Sequence, residues 1–199
     1  MQALGEQIMK SVGALPEGAL ITAGSLLHLG GRAVVHRALS RLARRGSLLR
    51  VGRGLYVRPL ESRFGLRAPS VEKVARAVSE QRGEIIVTSG AAAANSLGLT
   101  TQVPIRTIYL TNGPSRELRV GNQTVELKNA PAWHLLLADR PAGDAVRALA
   151  WVGPEKAQTA LATLKQKLGP SAFRELVSVG PHLPDWLARA LRQFATHDC

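Results

Sequence analysis

The feature that most constrains this chain is a cluster of arginines that has no acidic neighbours. Between Glu17 and Glu61 there are eight arginines and no Asp or Glu. If residues 32–45 form a helix, an advance of about 100° per residue gives it one apolar stripe. That stripe consists of Val35, Ala38, Leu39 and Leu42, and the opposite side carries Ala33, Arg37, Ser40 and Arg44. The pattern predicts a helix with an apolar back and a basic front.

The residues after this helix predict a basic hairpin. Gly46 is a typical helix stop, and residues 49–51 and 55–57 are short β-prone runs. The segment Gly52-Arg53-Gly54 between them permits the positive φ angles of a tight turn. We therefore expect a helix followed by a two-stranded basic wing.

A basic helix face has two interpretations. Charged faces usually meet only water, but such faces mix positive and negative side chains at i,i+4 spacing. Here no acid offers such a partner, so the arginines repel one another unless an external polyanion neutralises them. We therefore favour a nucleic-acid surface over a solvated face.

The charge of the chain is concentrated at one end. The formal net charge is +12; residues 1–67 carry 11 basic and 3 acidic side chains, and residues 68–199 carry 15 and 11. Aromatic residues make up only 4% of the chain, which argues against single-strand binding on aromatic platforms. The predicted partner of the first third is therefore double-stranded DNA.

The order of elements before the arginine helix predicts a known DNA-binding arrangement. Residues 3–12 have apolar residues at helical spacing, and Thr22 is placed to cap a short helix over residues 23–29. Leu20-Ile21 is expected to pair with the wing. Helix, helix, glycine turn, helix and wing is the order of a winged helix-turn-helix.

In such a unit the third helix enters the major groove by its N-terminal half, so different residues have different predicted roles. The candidates for base edges are Arg32, Ala33, His36 and Arg37. The candidates for phosphates are Ser40, Arg41, Arg44 and Arg45. On the wing, Arg50, Arg53 and Arg58 are expected to reach the flanking backbone or the minor groove.

The remainder of the chain predicts a second domain. We expect a winged helix-turn-helix over residues 1–60, a proline-containing linker over 61–69, and a domain over 70–199. The predicted elements of that domain are a helix from Ser70, a buried strand over 84–88, a helix after Ser89, a strand over 105–111, a hairpin over Gly121-Asn122, and an extended segment over 130–137. Four proline-started helices follow from Pro141 as a helical C-terminal tail. The predicted fold class is α+β.

Several functional classes are not indicated. Cys199 is the single cysteine, so no disulfide framework or CxxC site is expected, and a reducing cytoplasm fits. No stretch has the apolar length of a membrane span or of a signal peptide. The sequence contains no phosphate-loop, dinucleotide, metalloprotease or esterase motif. No carboxylate lies at ligand spacing from His134, His182 or His197 except Asp185, three residues after His182, which is expected to cap the helix near Pro184. We predict no catalytic residues, no metal and no cofactor.

Two stretches resemble a known family. Residues 32–56, RAVVHRALSRLARRGSLLRVGRGLY, look like the winged helix of AbiE-type (AbiEi-like) antitoxins of bacterial toxin-antitoxin and abortive-infection systems. Residues 90–111, GAAAANSLGLTTQVPIRTIYLT, are similar to the start of the second domain of those antitoxins. The resemblance implies an autorepressor that binds inverted repeats in its own promoter and counters a nucleotidyltransferase-like toxin. A stable complex with that toxin is not implied.

Two alternatives stay open. One is a winged-helix transcriptional regulator without antitoxin activity. The other is a nuclease or ligand-sensing domain that the winged helix targets to DNA. A metal-dependent nuclease needs converging carboxylates. The candidates Glu84, Glu117, Glu126, Asp139 and Asp144 are scattered along the chain rather than motif-spaced.

Overall fold

The computed structural model describes residues 3–197 and has a mixed architecture. About half of it is helical, at 53%, and 18% is in strands. The predicted α+β class is confirmed. Cys199 lies outside the described residues.

The helices and strands alternate in the first two thirds of the chain, and helices alone follow. The α-helices are α1 (Leu4–Gly13), α2 (Arg32–Arg44), α3 (Val71–Arg82), α4 (Gly90–Ser96), α5 (Pro141–Val152), α6 (Ala157–Lys167), α7 (Pro170–Ser178) and α8 (Asp185–His197). The strands are β1 (Leu49–Gly52), β2 (Leu55–Val57), β3 (Leu60–Ser62), β4 (Gly65–Arg67), β5 (Ile86–Thr88), β6 (Thr107–Thr111), β7 (Arg116–Val120) and β8 (Gln123–Asn129). Short 3-10 helices cover Gly24–Leu29, Ala132–Leu135, Pro154–Lys156 and Gly180–His182.

The strands form three sheets. Strands β1 and β2 make one antiparallel hairpin and β3 and β4 make another. The remaining strands form a four-stranded sheet in the order β5-β6-β8-β7, in which β5 and β6 are antiparallel. The predicted hairpin over Gly121-Asn122 is confirmed, since β7 and β8 flank that turn.

The chain divides into two compact units. The N-terminal unit contains the residues up to Glu84 together with Arg116–Glu126. The C-terminal unit contains Ile85–Ser115 together with the chain from Leu127 onward. These limits differ from the predicted boundaries at 60 and 70, because α3 and β7 group with the arginine helix.

The core of the N-terminal unit is built from the stripes that the sequence predicts. Val35, Ala38, Leu39 and Leu42 of α2 are all buried and pack with Ile8 and Val12 of α1. The predicted pairing near residue 21 is confirmed, since Ile21 N donates to Tyr56 O at 2.8 Å and Tyr56 N donates to Ile21 O at 3.0 Å. The short helix predicted over residues 23–29 is the 3-10 helix Gly24–Leu29, and Thr22 Oγ1 accepts a hydrogen bond from Ser25 N at its start.

The stretch predicted as a linker is ordered by hydrogen bonds. Residues 60–67 form the β3-β4 hairpin, and α3 begins only four residues later. Glu17 holds the start of α3: its carboxylate accepts from Lys73 Nζ at 2.5 Å and from Ser70 N at 2.9 Å, and Arg67 lies 3.5 Å away. These interactions, led by the hydrogen bond from Lys73, lower the pKa of Glu17. Long-range polar contacts of this kind are invisible to local sequence patterns.

The core of the C-terminal unit is mainly helical. Small residues allow α4 and α5 to pack closely: a Cβ on Gly90 would lie 2.6 Å from the Arg147 carbonyl oxygen. Helices α5 to α8 bury a leucine- and alanine-rich cluster that includes Leu149, Leu161 and Leu187. The expected helices from Pro141 onward are confirmed, whereas the segment expected to be extended contains the 3-10 helix Ala132–Leu135. The strand expected to be buried is an edge strand in which only Val87 is buried.

One arginine of this unit is buried. The Arg147 side chain is 1% exposed and donates to Asp144 Oδ1 at 2.7 Å and to the carbonyl oxygens of His134 and Ala138, both at 3.2 Å. Asp144 also accepts from Thr88 Oγ1 at 2.8 Å. This network ties α5 to β5 and to the segment before α5.

In residues 3–197, no helix combines the length and apolar character that a membrane crossing requires.

Candidate nucleic-acid interface

Helix α2 carries the predicted interface, and its ends are set by glycines. Gly31 is its N-cap residue, and the first turn contains no acidic residue and no side-chain cap. At the other end, Ser47 N donates to Leu42 O at 3.0 Å around Gly46, whose φ of 77° favours glycine. The helix therefore presents about three and a half turns of arginine-rich surface between two sharp changes of direction.

The predicted DNA-facing residues of α2 lie on its exposed side. Ser40 is half-buried, and the exposed residues are Arg32, Ala33, His36, Arg37, Arg41, Arg44 and the adjoining Arg45. Several of them line one shallow groove of about 420 Å³, formed by Val34, His36, Arg37, Ser40, Arg41 and Arg44. The structure brings the central members of the predicted set together on one surface.

Within residues 3–197, no carboxylate compensates the charge of this surface. In the described part of the chain, the ion pairs involve other basic residues, and no carboxylate pairs with the arginines of α2. By contrast, the carboxylate of Glu84 is held by Arg116, and that of Glu175 is held by Arg140. The chain thus pairs arginines elsewhere and leaves those of α2 open to solvent.

The β1-β2 hairpin adds two exposed arginines. Arg53 is exposed in its tight turn. Arg50 is exposed on β1, and its Nε donates to Gly52 O at 3.4 Å. Both residues belong to the same unit as α2.

Arg58 differs from the other predicted residues. It is half-buried, and its Nη2 donates to the carbonyl oxygen of Leu15 at 3.4 Å. This contact links the residue that follows β2 to the segment that follows α1. Arg58 therefore has a structural partner inside the unit, which the sequence did not predict.

Val34 was not among the predicted interface residues. Its side chain is 45% exposed and lines the groove beside Arg37 and Arg41. The signal was present in the sequence, because residues 34, 37 and 41 are spaced to share one helix face. Val34 belongs to neither the predicted apolar stripe nor the predicted basic stripe of this helix.

The carboxylates and histidines of the chain do not form a metal cluster in the part that the structure describes. Asp144 is engaged by Arg147, and Glu84 is engaged by Arg116. His134 is partly buried and stacks on Trp133 with ring centroids 3.7 Å apart. Burial, and then the charge of Arg147, lower the pKa of His134.

Comparison with known proteins identifies a family of unknown function. The model of a family of unknown function, DUF6088, matches residues 7–169. No curated protein and no solved structure matches the chain. The match covers most of the 199 residues, including part of α1 and all of α2 to α6 and β1 to β8. The chain therefore belongs to the DUF6088 family of unknown function.

Proposed function

We propose that this protein is a transcriptional repressor that binds double-stranded DNA through a winged helix-turn-helix in its N-terminal unit. Helix α2 is the recognition helix and the β1-β2 hairpin is the wing. The observation that carries the proposal is the exposed face of α2, on which four arginines, Arg32, Arg37, Arg41 and Arg44, have no carboxylate partner among the described residues.

Electrostatics favour a polyanionic partner for this face. Arginines three and four residues apart on one helix face repel each other in the free protein. A duplex relieves this repulsion and releases its condensed counterions when the arginines neutralise phosphates. The first turn of α2 has no acidic residue and no side-chain cap, so its free backbone N–H groups add a site for a phosphate.

The position of each side chain along α2 assigns it a role in the proposed complex. Residues near the N-terminus, Arg32, Ala33, His36 and Arg37, face base edges in the major groove. Val34 lies among them and supplies an apolar contact of the kind that a thymine methyl group accepts. Phosphates are contacted by Ser40, Arg41, Arg44 and Arg45, and by Arg50 and Arg53 of the wing. Arg58 contributes less, because its guanidinium is already bonded to Leu15.

The proposal also includes an antitoxin role, and its support is the sequence resemblance alone. On that basis the protein represses its own operon by occupying inverted repeats and counters a nucleotidyltransferase-like toxin in the bacterial cytoplasm. The residues that carry the resemblance run from α2 to β6 and therefore involve both units. The alternative is a regulator without antitoxin activity, in which α2 binds DNA in the same way.

The test is a gel shift with the full-length protein and a duplex from the region upstream of its own gene. The wild type should bind, and the triple variant Arg37→Ala, Arg41→Ala, Arg44→Ala should lose binding. The matched control is Arg192→Ala, an exposed arginine on α8 in the other unit, which should bind like the wild type. Binding by the triple variant at wild-type affinity would overturn the assignment of α2.

A second arm addresses the antitoxin role. Expression together with a nucleotidyltransferase encoded next to the gene should restore the growth that the enzyme alone inhibits. If DNA binding is intact but growth is not restored, the protein is a regulator without antitoxin activity.

A further inference from the structure

The β3-β4 hairpin carries an exposed aromatic side chain at its tip. We call residues 60–67 the arm; its strands pair Leu60 with Arg67 and Ser62 with Gly65, so Arg63 and Phe64 form a two-residue turn. Ser62 Oγ accepts from Phe64 N at 3.2 Å and donates to Gly65 O at 2.7 Å. These bonds hold the turn in one shape, so Phe64 is presented on a stiff support.

Two of the apolar residues of the arm, Phe64 and Leu66, are largely exposed. Phe64 is 86% exposed and Leu66 is 64% exposed. The β3-β4 pair belongs to no larger sheet, and every residue from Glu61 to Arg67 is exposed. Large apolar side chains displayed in this way typically mark a contact surface, because water is a poor environment for them.

A cation accompanies the exposed ring. The Arg63 guanidinium carbon lies 4.8 Å from the centroid of the Phe64 ring, over its face. A partner of this tip must therefore accept a positive charge and a flat apolar ring side by side. A DNA minor groove does so, because it is lined by phosphates and its base steps open to flat or apolar wedges.

The arm lies beside the end of the proposed recognition helix. A groove of about 490 Å³ is lined by Gly46 and Leu49, by Leu66 and Arg67 of the arm, and by residues of the β7-β8 turn. Gly46 follows directly after Arg44 and Arg45, so the base of the arm adjoins the phosphate-contacting end of α2. Arg67 secures that base through its ion pair with Glu17, at 3.5 Å.

We propose that the arm is a second DNA-contacting element, in which Phe64 inserts between base pairs in the minor groove and bends the duplex while Arg63 contacts the flanking phosphate. This inference rests on the proposed function, since it assumes that α2 engages the same duplex. Insertion unstacks one base step, and the bend brings more of the duplex against the basic N-terminal unit. Base steps differ in how easily they unstack, so insertion of Phe64 favours DNA sequences with an easily opened step at that position. Phe64 thus contributes to sequence specificity.

The experiment uses the full-length protein and the duplex from the region upstream of its own gene. One set of duplexes carries 2-aminopurine at successive positions, whose fluorescence rises when the base is unstacked. Another carries a donor and an acceptor dye at its ends, so that bending is read as energy transfer. The variants are Phe64→Ala and Phe64→Trp, with Ile105→Ala as the matched control because Ile105 is an exposed apolar residue of the C-terminal unit.

The wild type should raise the fluorescence at one step and bend the duplex. Phe64→Ala should lose both signals and bind about tenfold more weakly, the size expected when one base–aromatic stack is removed. Phe64→Trp should keep both signals, and Ile105→Ala should behave like the wild type. Unchanged fluorescence and bending in Phe64→Ala would overturn the proposal.

The outcomes separate this inference from the proposed function. Suppose that the wild type binds the duplex without bending or unstacking it, and that the α2 triple variant does not bind. The proposed repressor function is then supported, and the proposed insertion of Phe64 is wrong. If the wild type does not bind the duplex, both are wrong. Two further measurements compare Phe64→Ala with the wild type: the mass of the free protein in light scattering, and its co-sedimentation with phosphatidylglycerol vesicles. If Phe64→Ala changes only one of these and leaves DNA bending and unstacking unchanged, the arm contacts a protein or a membrane instead and the proposal is overturned.

Discussion

Helices α2 and α5, one from each unit, use arginine in opposite ways. On α2, arginines stand in solvent without carboxylate partners among the described residues. On α5, Arg147 is buried and donates to one carboxylate and two carbonyl oxygens. The fold supplies partners to both Nη atoms of this buried guanidinium, because leaving its charge unpaired in the interior is costly. The arginines of α2 are exposed, so the fold does not need to supply partners for them.

The helices that carry these arginines differ in the same way. Helix α2 buries a single stripe, whereas α5 is buried continuously from Ala142 to Leu149 apart from Asp144, which is half-buried. Substitutions on α5 should therefore change stability, and substitutions on the exposed face of α2 should change binding while leaving stability within about 0.5 kcal/mol. The following variants test this contrast.

The largest effect is expected for Asp144→Ala. Removing this carboxylate leaves the Arg147 guanidinium buried without its counter-charge and should lower the free energy of unfolding by about 3 kcal/mol. Urea denaturation followed by circular dichroism measures the change. Arg147→Met, which removes the buried charge itself, is the control and should cost less. If Asp144→Ala were as stable as the wild type, the contrast between α5 and α2 would be contradicted, since the buried arginine would then need no carboxylate partner.

The second-largest effect concerns DNA binding and tests which arginines of α2 contact bases and which contact phosphates. Arg37→Ala should reduce discrimination between the upstream duplex and a scrambled duplex by about 1 to 3 kcal/mol, because a base contact is lost. Arg44→Ala should weaken binding to both duplexes alike and reduce the salt slope by about one, because only a phosphate contact is lost. Gel shifts at several salt concentrations measure both. An equal loss on the two duplexes for Arg37→Ala would remove it from base recognition.

The smallest effect concerns pH and the C-terminal unit. Burial and the charge of Arg147 lower the pKa of His134 in the folded protein below its unfolded value of about 6.5. Between these two values the unfolded chain binds a proton that the folded protein resists, so stability should fall as the pH drops below about 6.5. Urea midpoints of the wild type and His134→Gln at neutral and mildly acidic pH measure this. The wild type should lose more stability on acidification, and parallel losses would contradict the assignment.

Much of the local structure was predictable because its causes are local. The apolar spacing in α2, the proline starts of α5 and α7 and the Gly121-Asn122 turn each depend on residues within a few positions of one another. Ser89, predicted as a helix cap, accepts a hydrogen bond from Ala92 N at 3.4 Å. The residues of the candidate interface were found for the same reason, since most of them share one helix.

The errors and omissions have a common origin in contacts between distant residues. The segment 61–69 contains a proline and a glycine and predicts a linker, yet its strands pair and Glu17 reaches Ser70 and Lys73 across more than 50 positions. Arg58 fits the basic pattern of the wing, yet the carbonyl oxygen of Leu15 accepts its hydrogen bond. Neither partner is marked by any periodic pattern.

The sequence by itself determined most of the α-helices, the β1-β2 and β7-β8 hairpins and the accumulation of positive charge near residues 32–53, because periodicity and charge are properties of neighbouring residues. Only the tertiary structure decided that Arg116–Glu126 joins the N-terminal unit, where Arg116 holds Glu84, and that Phe64 is left exposed at a hairpin tip. Which charge is paired and which apolar ring is uncovered depends on the surroundings that distant segments supply, and those surroundings exist only after the chain has folded.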